Sequence, residues 1–465
     1  MTAHNLRLRL DACADPGVTA VQHALQARRR MPRWAAIVAV ALIQLTTVGA
    51  ATIPPHPRGT APPAPPPAPI VILLSWDGVR HDYLDQQTPT QLPALARMQR
   101  EGMRADGLRP GWPSTTFPGH AAIATGSWAE QHGIVDNRFF DRRRGTFEAG
   151  ADAGADAGAD AAAWLNAEPL WIAAERQGVR SATFFWVGAE ADWRGQRQRF
   201  RRAPFDPDID EPTKVRQILA WLDLPPAKAP RLIMSWWHGA DDAGHEHGPD
   251  SDAVREAMRT QDAALGQLLK GIDARRLWTR LTLLLVSDHG MTRVERNLDL
   301  AALVSDLGVD ATVLSSAGVG HVFVRRPADR VAVERALRNT RGVRLLRNAE
   351  LPASMHLRHV TRTGDLVVVA QPPLSLQSMG VLQGAAFRML RWCCNYPFGG
   401  HGYDPDLSDM QGIFLAMGRG VRPAQRQAAQ AQIDIAPTVA LLLGIAPPRN
   451  ASGRAVPGID VTATR

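Results

Sequence analysis

The chain has 465 residues, which is enough for one large domain or two ordinary ones, and its 45% hydrophobic content can supply a sizeable core. The net charge is +8, but half of it comes from the first fifty residues, so the rest of the chain is only weakly basic and gives little support for nucleic-acid binding. Three cysteines, two of them adjacent, exclude a disulfide scaffold.

The N-terminal fifty residues have the layout of an export signal. Basic residues at 28–30 precede an apolar run from Trp34 to about Val48, and small residues follow up to Ala50. We predict a signal peptide over 1–50 and a periplasmic or secreted protein. The alternatives are an uncleaved membrane anchor facing the periplasm and a misassigned start over 1–30, because Met31 opens a neater signal.

A proline- and alanine-rich segment over 51–69 predicts an extended linker, and a folded domain over 70–465 follows it. Four short apolar runs in that domain are typical of buried strands: IVILLSWD (70–77), RLIMSWWHGAD (231–241), LTLLLVSD (281–288) and QGIFLAMG (411–418). Strands buried on both faces favour a largely parallel sheet. A helical pattern over 252–272, with Val254, Met258, Leu265, Leu268 and Ile272 on one face, completes an α/β sandwich. The acidic repeat over 148–163 has no hydrophobic period, and we expect a surface loop there.

Three of the four predicted strands end in aspartate, at Asp77, Asp241 and Asp288. An aspartate after a strand is commonly a turn former or a helix cap. However, ligand sites of open α/β sheets lie at the carboxyl ends of the strands. The three aspartates are therefore candidate ligands of one site.

Histidines accompany these aspartates at His245, His289 and His401. Imidazole combined with carboxylate suits Zn²⁺, and also manganese or iron. Two sets of three such ligands can hold two metal ions about 4 Å apart, a spacing that phosphoryl chemistry uses. The pattern therefore predicts a two-metal centre.

Two threonines, Thr115 and Thr116, stand in the stretch GWPSTTFPGH (111–120), just before an alanine-rich run. A threonine just before a predicted helix commonly caps the N-terminus of that helix. Beside two metals, however, a hydroxyl becomes a nucleophile, and a helix N-terminus favours a bound phosphate.

From about Ile70 to the C-terminus, the sequence resembles the nucleotide pyrophosphatase/phosphodiesterase family of the alkaline phosphatase superfamily. The motifs that carry the resemblance are LLSWDGVRHDYL, TTFPGHAAIATG, HGIVDN, DDAGHEHGP, VSDHGM and GGHGYD, with EPLWIAAERQGVRSATFFWVGAE between them. The resemblance implies an alkaline-phosphatase-like three-layer α/β/α sandwich around a mostly parallel central sheet, and a catalytic domain over 70–465.

The resemblance also implies the roles of individual residues. Thr116 is the nucleophile, since the family's nucleophile directly precedes Phe-Pro, and it forms a covalent phosphothreonine. Asn137 donates a hydrogen bond to phosphate, and Phe117 forms part of the wall against which a nucleobase stacks. One zinc is bound by Asp77, Asp288, His289 and Thr116, and the second zinc by Asp241, His245 and His401.

Some positions depart from the family pattern. Gly119 replaces the usual Asn, and Gly239-Ala240 replaces Glu-Pro. The stretch ADWRGQRQRFRRAPF (191–205) lacks an obvious aromatic base platform, for which Trp193, Phe200 and Phe205 are candidates. The arginines of 194–202 are interpreted as a solvated face, with phosphate binding as the alternative. We assign packing roles to His120, His132, Trp236 and Trp237.

The function predicted is an exported two-zinc phosphodiesterase or nucleotide pyrophosphatase acting on a small phosphodiester or nucleotide, without a stable nucleic-acid complex. A phosphomonoesterase on the same fold is the first alternative. It is less favoured because no Lys or Arg lies within FFWVGAE to meet the extra charge of a monoester. A catalytically inactive metal-binding homologue is the second alternative, and the six intact Asp and His ligands argue against it.

Overall fold

The computed structural model describes residues 68–148, 162–379, 384–386, 388–390 and 398–461. The predicted export signal, nearly all of the linker, most of the acidic repeat and the three cysteines lie outside these residues. Among the described residues, no helix has both the length and the apolar character needed to cross a membrane.

The strands, in chain order, are β1 (Ile70–Trp76), β2 (Met103–Ala105), β3 (Leu108–Arg109), β4 (Arg138–Asp141), β5 (Gly145–Glu148), β6 (Ser181–Phe184), β7 (Phe200–Arg202), β8 (Leu232–Trp237), β9 (Leu281–Val286), β10 (Thr292–Val294), β11 (Arg296–Asn297), β12 (Ala311–Ser315), β13 (Val319–Val324), β14 (Val343–Arg347), β15 (Leu366–Ala370), β16 (Leu374–Ser375), β17 (Phe398–Gly400), β18 (Phe414–Gly418), β19 (Gln425–Gln427) and β20 (Gln430–Ala431).

The α-helices are α1 (Pro93–Glu101), α2 (Thr116–Thr125), α3 (Ala129–His132), α4 (Leu170–Arg176), α5 (Glu211–Leu222), α6 (Asp241–His247), α7 (Asp252–Ala274), α8 (Leu300–Asp306), α9 (Arg330–Arg338) and α10 (Ile435–Leu443). Short 3-10 turns lie at His81–Asp85, Pro327–Asp329, Asn348–Glu350, Ala353–Met355, Ser408–Met410 and Gln432–Asp434.

An eight-stranded central sheet has the order β19-β2-β18-β9-β1-β8-β6-β7. Strand β1 pairs in parallel with both β8 and β9, and β6 extends the parallel set to β7. Strand β18 runs antiparallel to β9 and to β2. The largely parallel sheet predicted from the apolar runs is therefore confirmed, with one strand reversed.

Helices cover both faces of this sheet, because successive side chains of a buried strand point to opposite sides. In β1, Val71 and Leu73 face the core shared with α2, α4 and α10. Ile72 and Leu74 face the core shared with α1, α5 and α7. The three-layer α/β/α sandwich is thus built from two separate hydrophobic cores.

Helix α7 confirms the helix predicted over 252–272. Ser251 caps its N-terminus by accepting a hydrogen bond from Val254 N at 3.3 Å. All five residues of the predicted apolar face are buried: Val254, Met258, Leu265, Leu268 and Ile272.

A second sheet, antiparallel and of order β12-β13-β15-β14, was not predicted. Together with α8 and α9 it encloses a third hydrophobic core. In the chain it lies between β9 and β17, and so between the predicted ligand pair Asp288–His289 and the last predicted ligand, His401.

Candidate active site

The six predicted Asp and His ligands come from separate segments that meet at the carboxyl ends of β1, β8 and β9. Asp77 directly follows β1, and Asp241 is the first residue of α6 after β8. Asp288 and His289 follow β9. His401 follows β17, which pairs antiparallel with β10, so that Gly400 lies opposite Thr292. The parallel order β9-β1-β8 brings the strand ends side by side.

One group of possible metal ligands consists of Asp241, His245 and His401. Asp241 and His245 are one turn apart on α6, with His245 Nε2 3.4 Å from Asp241 Oδ2. His401 Nε2 lies 3.7 Å from Asp241 Oδ1. The geometry therefore groups the three residues that the family resemblance assigns to one ion.

A second group surrounds His289. Its Nε2 lies 3.4 Å from Asp77 Oδ1, 3.3 Å from Asp288 Oδ2 and 3.2 Å from Thr116 Oγ1. Asp241 belongs to this group as well as to the first one, because one ligand atom from each of Asp77, Asp241 and His289 lies within 4.8 Å of the others. The two groups are contiguous, and the rings of His289 and His401 stack 3.7 Å apart.

The orientation of the histidines fits metal binding. In each, Nδ1 faces a backbone carbonyl: Gly399 O at 3.0 Å for His245, Gly290 O at 2.9 Å for His289 and Ser114 O at 3.2 Å for His401. A carbonyl only accepts, so Nδ1 carries the proton and Nε2 keeps its lone pair for another ligand. Burial lowers the pKa of His289 to about 3, so its imidazole is neutral, as a ligand must be.

The aspartates fit metal binding as well. Each has one buried oxygen without a hydrogen-bond partner: Asp77 Oδ1, Asp241 Oδ1 and Asp288 Oδ2. Burial, followed by the charge of Asp288, raises the pKa of Asp77, and burial, followed by the charge of Asp241, raises that of Asp288. Buried carboxylates so close together need a cation to stay ionised at low cost. The donor set therefore fits the predicted divalent metals.

The two threonines of the predicted nucleophile corner point to different partners. Thr115 precedes α2 with extended backbone but makes no side-chain cap, and its Oγ1 donates to Asp136 Oδ1 at 3.3 Å. Thr116 opens the helix and its Oγ1 faces His289. Helix capping thus does not explain either hydroxyl, and only Thr116 reaches the ligand cluster.

Asn137 is bound to the same corner. Its Oδ1 accepts from Phe117 N at 2.8 Å, which fixes the amide and leaves both Nδ2 hydrogens for another partner. Asp136 holds the backbone of Asn137 through a 2.7 Å bond from Asn137 N. Asp136 is a site residue that sequence reasoning missed, because its only signal was its place in HGIVDN.

His120, one of the two histidines assigned to packing, is fully buried next to the backbone of Thr116. Its Nδ1 lies 2.8 Å from Thr116 O and its Nε2 2.9 Å from Ser75 Oγ. His132 is buried too, with Nδ1 accepting from Ile134 N. The core interpretation agrees with both, and His120 additionally supports the backbone of α2.

The glycines that depart from the family pattern stand where there is no room for a Cβ atom. At Gly119 it would lie 2.8 Å from Asp288 O. At Gly239, which has φ +63°, it would lie 2.1 Å from Asp77 O. Both backbones therefore pack directly against segments that carry predicted ligands.

The three candidates for an aromatic base platform have different environments. Trp193 is buried and donates to Leu165 O, and Phe200 packs against Trp221. Phe205 is half-buried and lies 4.8 Å from the ring of Trp236. Phe117, the predicted wall residue, packs edge-on against Phe147 at 6.0 Å.

The interpretation of Trp236 as a packing residue was incomplete. Its Nε1 donates to Asp77 Oδ2 at 2.9 Å, whereas Trp237 is fully buried and donates to Ser235 Oγ. The arginines of 194–202 agree better with a solvated face: Arg201 pairs with Asp192, and Arg202 hydrogen bonds to Gln217.

Comparison with known proteins agrees with this geometry. Residues 71–404 match the family described as type I phosphodiesterase/nucleotide pyrophosphatase. Venom phosphodiesterase of Naja atra is 27% identical over 390 residues, covering 82% of this chain and 45% of that protein. Ectonucleotide pyrophosphatase/phosphodiesterase family member 3 of Bos taurus is 27% identical over 359 residues, covering 75% of this chain and 39% of that protein. The chain spans less than half the length of these relatives.

Solved structures of murine ectonucleotide pyrophosphatase/phosphodiesterase 5 superpose with TM-scores of 0.70 and 0.71 at 27% and 26% identity. The two superpositions cover 81% and 82% of this chain and 96% of each murine chain. The second murine structure is an inactive variant in complex with AMP. The alkaline-phosphatase-like fold predicted from the motifs is confirmed. The chain belongs to the type I phosphodiesterase/nucleotide pyrophosphatase family.

Proposed function

We propose that the chain is a two-zinc phosphodiesterase or nucleotide pyrophosphatase that works through a covalent phosphothreonine at Thr116. The observation that carries the proposal is the position of Thr116 Oγ1. It lies at the first residue of α2, 3.2 Å from His289 Nε2, where free oxygens of Asp77 and Asp288 also converge. A hydroxyl at that point has the partners that activation of a nucleophile requires.

Asp77, Asp288, His289 and Thr116 would hold one Zn²⁺, and Asp241, His245 and His401 the other. Manganese or iron suits the same oxygen and nitrogen donors. When bound, the two ions supply positive charge that lowers the pKa of the threonine hydroxyl and neutralises the phosphate.

The reaction follows from the positions of the chain's own groups. Thr116 Oγ1 gives up its proton, attacks phosphorus and forms a P–O bond while the bond to the leaving oxygen breaks and that oxygen takes up a proton. Water then attacks phosphorus, the P–Oγ1 bond breaks, and a proton of the water restores the Thr116 hydroxyl as the phosphate product leaves. Asn137 is suited to donate from Nδ2 to a non-bridging oxygen, because its Oδ1 is already occupied by Phe117 N.

The site favours a phosphodiester or phosphoanhydride over a monoester. In the part of the chain that the structure describes, no Lys or Arg is seen in a hydrogen bond or ion pair with Thr116, Asn137 or the six predicted Asp and His ligands. A monoester dianion carries a second negative charge, and none of these side-chain contacts offers a cation to meet it, which supports the diester. The half-buried ring of Phe117 is suited to contact a nucleobase, and the AMP complex of murine family member 5 supports a nucleotide-sized substrate.

We also propose that the enzyme acts outside the cytoplasm, with 1–50 as signal or anchor, 51–69 as linker and 70–465 as catalytic domain. The N-terminal pattern supports this, and so do the names of the relatives, which include venom and ecto-enzymes. Fractionation of the producing cell, with N-terminal sequencing of the exported protein, tests both statements.

The function is tested with the full chain, loaded with zinc, and two neighbouring variants, Thr116→Ala and Thr115→Ala. The assay compares kcat/KM for bis-p-nitrophenyl phosphate and p-nitrophenyl phosphate, with and without EDTA. We expect a diester preference that is abolished by EDTA and by Thr116→Ala but largely kept in Thr115→Ala. A monoester preference would overturn the substrate class, and equal losses in the two variants would overturn the assignment of the nucleophile.

A further inference from the structure

We propose that Trp236 is a positioning residue for the metal centre. Its indole Nε1–H holds one oxygen of Asp77 so that the other oxygen is presented to the metal. The inference rests on the proposed function, since it concerns a ligand of the proposed zinc site. It assigns to this tryptophan a role in metal affinity that packing alone does not give.

The register of the central sheet brings the two side chains together. Strands β1 and β8 are parallel neighbours, and Ser75 pairs with Trp236. Residues two apart on a strand share a face, so Asp77 continues the face on which Ser75 and Trp236 lie. The indole then spans the short gap at the strand ends and donates to Asp77 Oδ2 at 2.9 Å.

The backbone of Asp77 is already fixed by its neighbours. Asp77 N donates to Trp237 O at 3.1 Å, and Ala240 N donates to Asp77 O at 3.0 Å. Gly239 packs so closely that a Cβ there would lie 2.1 Å from Asp77 O. What remains free is rotation of the carboxylate, and the bond from Trp236 restricts that rotation.

The bond divides the two oxygens of Asp77 between protein and metal. Oδ2 is taken by the indole, whereas Oδ1 is buried without a hydrogen-bond partner and lies 3.4 Å from His289 Nε2. Without the donor, either oxygen could turn toward the metal, and each would lose its fixed direction. Hydrogen-bonded partners of metal ligands typically account for 10- to 100-fold in metal affinity.

The indole is itself held in position. Phe205 packs against it at 4.8 Å, His238 at 5.6 Å, and His120 meets it edge-on at 6.2 Å. The neighbouring Trp237 offers a matched control, because its Nε1 donates to Ser235 Oγ and its ring stacks on Trp76 in the core.

The test is a zinc titration of the EDTA-stripped full chain in competition with a chromophoric chelator. Trp236→Phe keeps a ring and removes the donor. We expect it to raise the dissociation constant of one of the two zinc ions by about 10- to 100-fold and to leave the other ion within about threefold. Trp237→Phe should leave both constants unchanged. Trp236→Tyr, whose hydroxyl can donate, should recover part of the loss.

Unchanged zinc constants in Trp236→Phe, or the same loss in Trp237→Phe, would overturn the inference. Should Trp236→Phe not fold, as judged by circular dichroism, Trp236→Tyr and Phe205→Leu take its place. Both shift the donor, and we expect each to weaken the same ion by a smaller factor. If neither does, the inference is wrong. A wild-type chain that binds no zinc would instead contradict the proposed function.

Discussion

Replacing Asn137 with aspartate separates the two tasks of its side chain. The Oδ1 atom accepts from Phe117 N at 2.8 Å, near the start of the helix that carries Thr116. The Nδ2 hydrogens are the proposed donors to phosphate. Asn137→Asp keeps an acceptor for Phe117 and removes the donor, whereas Asn137→Ala removes both.

The expected magnitudes differ between folding and catalysis. Loss of the bond to Phe117 N in Asn137→Ala should cost about 1 kcal/mol of stability, the usual value of a hydrogen bond at a helix N-terminus. At roughly 2 cal/mol/K per residue, that is a shift of the thermal midpoint of only about 1 °C for a domain of this size. Loss of a donor to the developing charge should cost about 100- to 1,000-fold in kcat, and the added negative charge of aspartate should increase the loss.

The assay is kcat for bis-p-nitrophenyl phosphate at saturating substrate, with thermal unfolding measured on the same zinc-loaded samples. Asn137→Asp should keep the wild-type midpoint and lose activity, and Asn137→Ala should lose activity and about 1 °C. If Asn137→Asp kept kcat within about threefold, the amide would not stabilise the transition state. If it lost several degrees with its activity, the separation of the two tasks would be wrong.

Three further changes test other parts of the site. Gly239→Ala should lower the free energy of unfolding by more than the ~1–2 kcal/mol that a left-handed backbone costs a residue with a Cβ atom, because that Cβ would lie 2.1 Å from Asp77 O. The variant should also bind less zinc. A thermal midpoint and a zinc content equal to those of the wild type would contradict the close packing. Burial raises the pKa of Asp136 to about 7 from 3.8, so its carboxyl stabilises the fold when protonated and loses that contribution as pH rises through 7. The thermal midpoint of Asp136→Asn, measured relative to that of the wild type, should therefore rise between pH 4 and pH 8. A difference that stays constant across this range would show that Asp136 does not titrate there. Asp288→Asn should raise the thermal midpoint of the EDTA-stripped chain at neutral pH, because burial and then the charge of Asp241 raise the pKa of Asp288, and burying this carboxyl therefore costs stability. It should abolish activity with zinc present, and a lower midpoint of the stripped chain would count against that cost.

The central sheet and part of the site could be predicted from the sequence because the patterns that indicate them lie within short segments of the chain. The runs that became β1, β8 and β9 are apolar on both faces, so their length and composition sufficed to predict buried parallel strands. Asp77 and Asp288 then follow from the rule that ligands gather at carboxyl ends of strands.

The second sheet could not be predicted in the same way. Strand β12 is mostly half-buried and has five residues, and β14 exposes Arg344 and Arg347. Such short, partly polar runs resemble loops, because they show neither a continuous apolar run nor a regular alternation of apolar and polar residues. His401, which lies beyond this sheet, was found only through its motif.

The role of Trp236 shows a different kind of limit. In a strand, an aromatic side chain is normally explained by packing, and its N–H carries no local signal. The bond to Asp77 depends on the pairing of β1 with β8 and on the register of that pairing. Pairing between segments so far apart in the chain is decided by the whole fold. Asp136 was missed for the same reason, since its link to Thr115 joins two separate segments.

The predicted metal ligands follow β1, β8, β9 and the β10–β17 pair, and this placement has a consequence for how slowly the chain unfolds. Two ions bound there would tie together the strands whose separation opens the central sheet. Because all the segments must already be assembled before the ions are held, zinc should scarcely accelerate folding but should slow unfolding markedly. The zinc-loaded chain would then resist proteases because it unfolds slowly, and chelation would shorten its lifetime well before it changed the fold.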